Sequence, residues 1–201
     1  MSAQPKPLSI ADIREDPLES ELLADRLDPR RNRALVLARL NEIYRSGTAP
    51  DPLPDGFMPG RLLGMSVQPQ LDSVIRRIAA LWMPWQGKVF DPHTMTGVNR
   101  FLPNARIPMK VVFPGFAPQE ITARKMEAFP FRNRIAPGAV DPDLQTFKID
   151  YDFDANPDFL IRRILDEVVQ IAPGRLLGKI LFRVSGRFNL IGYFSLRSAE
   201  L

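Results

Sequence analysis

The chain has no cysteine and only one histidine in 201 residues. The first absence removes disulfides, thiolate nucleophiles and cysteine-held metals, and it points to a reducing compartment. The second removes most histidine chemistry. Catalytic zinc takes three protein ligands, and a serine nucleophile needs a base. His93 would have to serve alone, in the turn-rich stretch Asp91-Pro92-His93-Thr94. A single axial histidine can hold haem, but a solvated loop histidine is the simpler reading. No metal and no cofactor is expected. Gly-x-Ser-x-Gly and Gly-x-x-x-x-Gly-Lys are also missing, so neither a nucleophile elbow nor a phosphate-cradling loop is present. No apolar run approaches the roughly 20 residues of a membrane span. Met1 to Leu8 is polar and carries no apolar signal region, so a cytoplasmic protein is expected.

Charge of either sign is not in strong excess. Lys and Arg number 27 against 23 Asp and Glu, a net charge of +4. The cations are interspersed with acids instead of forming a stripe, so nucleic acid is not an expected partner.

Proline is plentiful, at 20 residues. Proline cannot donate to a strand ladder and ends helices. Short elements and many turns follow, which argues against an all-helical protein. A first helix is predicted from Asp28-Pro29 to about Ser46, with Leu37, Leu40, Ile43 and Tyr44 on one face. Residues 47–59 hold four prolines and read as a linker. The expected division is a helical extension and Pro-rich linker over 1–55, then a β domain over 56–201.

Strands are predicted at Gly60–Val67, Gly87–Asp91, Val98–Leu102 and Met109–Phe113, with a long irregular one at Arg124–Ile135. Pro130 marks a bulge or an edge in the last of these. Phe147, Ile149, Tyr151 and Phe153 alternate with polar residues over 145–153, which reads as a strand with one wet face. Leu176–Val184 and Phe188–Leu196 form a hairpin across Ser185-Gly186. Helices are expected at Leu71–Trp82 and from Asn156-Pro157 to about Ile171. The fold class is therefore mainly β with flanking helices. About eight sequential strands can close into a small antiparallel barrel.

Asp150, Asp152 and Asp154 alternate along one strand face. Paired carboxylates can divide into acid and base, but the solvent face is the simpler account, and the calcium-loop pattern lacks its Gly and its last Glu. Phe101, Phe147, Tyr151, Phe153, Phe182 and Phe194 lie on predicted strands, where core packing explains them. If they line a void instead, Arg100, Lys88 or Tyr193 can hold the polar end of an amphipathic ligand.

Phe57-Met58-Pro59-Gly60-Arg61-Leu62-Leu63-Gly64, Leu71-Asp72 and Trp85-Gln86-Gly87-Lys88-Val89-Phe90-Asp91 carry a resemblance. Together with Tyr151-Asp152 to Leu165-Asp166 and Leu177-Gly178 to Leu196-Arg197, they resemble an uncharacterised bacterial and fungal family named for a Gly-x-Trp-x-Gly motif. Gly60 and Gly64 match the motif glycines, but Leu62 stands in place of the tryptophan. The resemblance implies a lipocalin-like (calycin) barrel and no agreed activity. It also implies a ring closing one barrel end, which Trp82 or Trp85 would supply. The expected ligand-binding set is Trp82, Trp85, Arg100, Phe101, Phe147, Tyr151, Phe182 and Phe194. The expected function is non-catalytic binding of a small lipid-like molecule. The alternatives are an isomerase, cyclase or hydrolase using the same cavity, or a membrane-surface or partner-binding protein using the helix at 71–83.

Overall fold

A computed structural model describes residues 33–65 and 84–198. The predicted helix at 71–83, with Trp82, lies outside the described residues. The first described helix, α1, spans Arg33–Ser46. Nine strands follow: β1 (Gly56–Met65), β2 (Trp85–Asp91), β3 (Thr96–Phe101), β4 (Glu120–Ile121), β5 (Met126–Pro137), β6 (Gln145–Asp150), β7 (Ile164–Ala172), β8 (Arg175–Val184) and β9 (Arg187–Arg197). A second short helix, α2, spans Arg106–Val112 between β3 and β4.

All pairings are antiparallel, and eight strands close a ring. The order around it follows the chain, with β3 passing to β5 and β9 returning to β1. β4 is a two-residue addition to β5. Closure leaves no open edge along the wall. The fold is mainly β, as the sequence implies, and is compatible with a lipocalin-like barrel.

Alternation sets the inside. Ile164, Asp166 and Val168 of β7 face inward with Leu176, Ile180 and Phe182 of β8, whereas Val169 and Leu177 face out under α1. α1 buries Val36, Leu40 and Tyr44, spaced four apart, against Val169, Leu177 and Tyr193. Gly97 and Gly178 carry no side chain because rings occupy the space. A Cβ would meet the Phe131 ring at 2.3 Å and the Phe194 ring at 2.2 Å. Each ring belongs to the glycine's own cross-strand partner.

Four expectations are corrected. Residues 56–59 belong to β1, so the linker is shorter than read. Residues 106–112 form α2 instead of a strand: Ala105, Met109 and Phe113 are buried four apart, the helical period. The helix expected up to Ile171 is a single 3-10 turn at Ile161–Arg163 followed by β7. That strand is covered inside by the barrel and outside by α1, so Ile164 to Val169 are all buried and no alternation shows. Finally, β6 has no wet face. Thr146 and Lys148 are buried, since the loop after β5 covers them.

Gly178→Ala is expected to destabilise the barrel by about 1–3 kcal/mol, because the buried Phe194 ring has nowhere to move. Adding Phe194→Leu should recover part of the loss in urea denaturation. Equal stability of Gly178→Ala and wild type would contradict this packing.

Candidate functional site

Four polar side chains meet inside the barrel. Lys88 lies on β2, and its cross-strand partners are Met58 on β1 and Asn99 on β3. Tyr151 follows the end of β6, and Asp166 lies on β7. Lys88 and Asp166 expose none of their surface, and Tyr151 and Asn99 only 4% and 5%. The Lys88 ammonium donates to Asn99 Oδ1 at 2.9 Å, to Asp166 Oδ2 at 2.9 Å and to the Tyr151 hydroxyl. Its three protons are thereby used. Tyr151 donates to Asp166 Oδ2 at 3.1 Å. Asn99 Nδ2 donates to the Phe129 carbonyl at 3.1 Å, and Trp85 Nε1 donates to Asn99 Oδ1 at 3.2 Å. Four rings surround the ammonium: Trp85, Phe131, Tyr151 and Phe194 stand 5.1–5.5 Å from Nζ.

Two bulges build this centre. Trp85 and Lys88 are three residues apart, a spacing that puts side chains on opposite faces of a regular strand. The register shifts between Trp85 and Gly87, and both side chains turn inward. Gly87 has φ +145, and a Cβ there would sit 2.1 Å from the Met58 carbonyl oxygen. Only glycine fits. The second bulge lies opposite β3, where the register shifts between Val98 and Asn99. Phe129, just before Pro130, sits at φ 59, a strained conformation for a side chain this large. Its carbonyl is the one that holds the Asn99 amide. Bulges and strained residues gather at functional sites, where they aim a neighbouring group.

Burial shapes the protonation of the centre. Desolvation pulls the Lys88 amine below its ordinary range against the opposing pull of Asp166. It pushes the Asp166 carboxyl above its ordinary value despite Lys88 and Tyr151. The Tyr151 phenol is raised, by burial first and by the Asp166 charge second. Asp166 Oδ1 is buried and has no hydrogen-bond partner among the described residues. A carboxylate oxygen in that position can accept from a hydroxyl or N–H.

A cleft of about 770 Å³ opens at one end of the barrel. Leu53, Phe57, Met58 and Leu176 give it an apolar lining, with Asp55 and Gln170 at polar positions. Met58 and Leu176 also belong to the interior core. Because Met58 is the register partner of Lys88, the cleft wall adjoins the polar centre.

The structure brings most of the expected ligand set together. Phe101, Phe147, Tyr151, Phe182 and Phe194 are interior. Trp85 is half-buried beside them, edge-on to Phe194 at 5.8 Å. Arg100 is not with them. It pairs with Glu127 at 2.9 Å and stacks on Phe57. Tyr193, the other polar candidate, faces outward under α1 and donates to Asn41. Phe153 lies past the end of β6 with the Arg132 guanidinium over its ring. Asp150 and Asp152 bind Arg134, Arg162 and Arg183 at the surface, and the Asp154 side chain is 99% exposed. Sequence reading missed Asp166 and Asn99. Asp166 was hidden inside a presumed helix. Asn99, three residues before Leu102 on a correctly placed strand, could have been found as a polar residue facing the same side as Phe101.

A second polar row lies on the outer wall, where Lys148, Glu167, Lys179 and Tyr193 are successive cross-strand partners. Lys148 binds Glu167 at 2.8 Å, and Lys179 binds Asp141 at 2.5 Å. Arg45 of α1 also binds Asp141, and reaches Asp143 at 2.6 Å. This row clamps α1 and the loop after β5 to the wall. Among the described residues, no group of three or more His, Cys, Asp or Glu side chains could hold a metal ion. No helix among them is long and apolar enough to cross a membrane.

No protein-family model matches the chain, and no curated protein matches it. Among solved structures it is similar to the crystal structure of a protein from Thermomonospora curvata. The TM-score is 0.48 and the identity 14%, over 90% of this chain and 96% of that one.

The inner pair is expected to cost stability instead of adding it. Asp166→Leu alone leaves an unpaired buried ammonium and should destabilise by about 3–5 kcal/mol. Lys88→Met with Asp166→Leu should lose far less than the two single losses combined. The sign with pH follows from the shifts. Above the ordinary Asp value of 3.8, the folded state holds its raised Asp166 proton longer than the unfolded chain does. Stability therefore falls as pH rises through that window. The double variant has no such loss, so its stability relative to wild type should grow as pH rises above the ordinary Asp value. Urea titrations showing additive single losses, or a pH-independent difference, would contradict this.

Proposed function

We propose that the barrel binds a small, mainly apolar molecule bearing one hydroxyl group. The apolar part lies in the end cleft, and the hydroxyl reaches past Met58 to donate to Asp166 Oδ1. The observation that carries this reading is the adjacency of Met58, which lines the cleft, to Lys88, which holds Asp166. A cleft of about 770 Å³ falls in the size range of small-molecule sites, which are mostly apolar with a few placed polar groups. A ligand carboxylate suits the site less well, since it would face the free carboxylate oxygen of Asp166. Lys88 has no proton left to answer it. On this reading Trp85 takes the part of the tryptophan missing from the Gly-x-Trp-x-Gly motif. A Cβ at Gly60 would lie 2.3 Å from its ring, so the ring covers the motif's first glycine.

A second reading, catalysis, is favoured by one observation. Burial raises the Asp166 carboxyl and lowers the Lys88 amine, so one proton can be exchanged between neighbouring groups. An enzyme of this kind would act by proton transfer alone, as in a keto–enol isomerisation, with no net oxidation of the bound molecule.

Thermal unfolding with 1-decanol and with decanoate tests the proposal. The alcohol is expected to raise Tm, reaching about 2.7 kcal/mol of stabilisation at a hundred times its Kd. Decanoate should give a much smaller shift, and Lys88→Met/Asp166→Leu should respond to neither. Equal shifts in wild type and double variant would overturn the site. Chromatography of molecules recovered from the protein separates binding, where they return unchanged, from turnover.

A further inference from the structure

α2 turns an apolar face to water beside a basic one. Ala105, Met109 and Phe113 are buried and pin the helix to the barrel. On the opposite side, Ile107 and Val111 lie four residues apart, 73% and 77% exposed, and Leu102 just ahead of them is 42% exposed. Arg106 and Lys110 are exposed, also four apart, in the adjoining column of the helix. From Phe101 to Gln119 these two cations are the only charges, and there is no Asp or Glu. Single exposed aliphatics are ordinary, but two β-branched side chains in register with two cations form a patterned surface. Phe159, 54% exposed, lines a groove with Val112 and Phe113 at the C-terminal end of α2 and extends the apolar area. Asp158 is the acid in that groove.

We propose that this face docks on an anionic lipid surface. Ile107 and Val111 enter the acyl boundary, and Arg106 and Lys110 meet the headgroup phosphates. Charge decides the occupant. A second copy of the chain would bring the same cations against each other, whereas anionic headgroups complement them. The inference is independent of the polar centre, because none of its residues touches Lys88 or Asp166.

Co-sedimentation of the full chain with vesicles tests it. Binding is expected to phosphatidylcholine vesicles containing phosphatidylglycerol at low salt, and about tenfold weaker binding to phosphatidylcholine alone or at high salt. Ile107→Ser/Val111→Ser should lose about tenfold in affinity, with circular dichroism and Tm unchanged. Arg106→Gln/Lys110→Gln should lose the preference for the anionic vesicles. Absence of binding to anionic vesicles overturns the proposal. So does binding that the serine variant retains, which would put the contact elsewhere on the chain. A concentration-dependent dimer abolished by the serine variant, without vesicle binding, would assign the face to a second copy and overturn it too.

Discussion

An ammonium group with no access to water must be neutralised where it stands. In this barrel that constraint fixes the positions around Lys88. Desolvating an ion costs several kcal/mol even after relaxation, and attraction to a partner offsets it only with good geometry. Asp166 therefore faces inward on β7, in reach of Lys88 on β2. Asn99 and Tyr151 take the remaining protons. The strand registers serve the same end. Without the bulge at Gly87, Trp85 and Lys88 would not share the interior, and without the bulge at Phe129 the Asn99 amide would lose its acceptor. An apolar pair of the same volume would hold the barrel as well or better. Stability alone therefore does not account for a charged pair at this point.

The wall itself divides two tasks at adjacent residues. Asp166 points in and Glu167 points out. The inner carboxylate belongs to a centre with a free acceptor beside a cleft. The outer one binds Lys148 and the Ala139 amide through Oε1, while its Oε2 is also buried without a partner among the described residues, and it belongs to the clamp that seats α1 and the covering loop. Burial under α1 also raises the Tyr44 and Tyr193 phenols, desolvation being the largest cause for both. Both stay neutral: Tyr193 donates to Asn41, and Tyr44 packs its ring against the wall.

Much of the barrel was legible in the sequence, for physical reasons that can be named. The hairpin across Ser185-Gly186 was readable because a Ser-Gly pair suits a two-residue turn between apolar runs, and both residues adopt positive φ there. The bulge at Pro130 was readable because proline cannot donate to the ladder. The strand β7 was not, because cover on both faces erases the period of two, and Ile161, Leu165 and Val168 then mimic a helical stripe. The site was half legible for the same reason. Lys88, Phe131 and Phe194 lie on strands that were placed correctly, whereas Trp85 precedes the predicted start of β2 and Tyr151 follows the end of β6. Asp166 lies on the strand that was missed, and the carboxylates that alternation did expose, Asp150 and Asp152, are surface ion pairs. A polar pair such as Asp166-Glu167 inside a fully buried run is the signal that both faces of a strand are covered.

Asp166 Oδ1 is the proposed acceptor for a ligand hydroxyl delivered through the end cleft. The crystal structure of the protein with 1-decanol tests it most directly. The alcohol oxygen is expected at about 3 Å from Asp166 Oδ1, with the chain lying along Met58 and Leu176. An alcohol bound elsewhere, with Asp166 Oδ1 packed against carbon as tightly as the rest of the core, would contradict it.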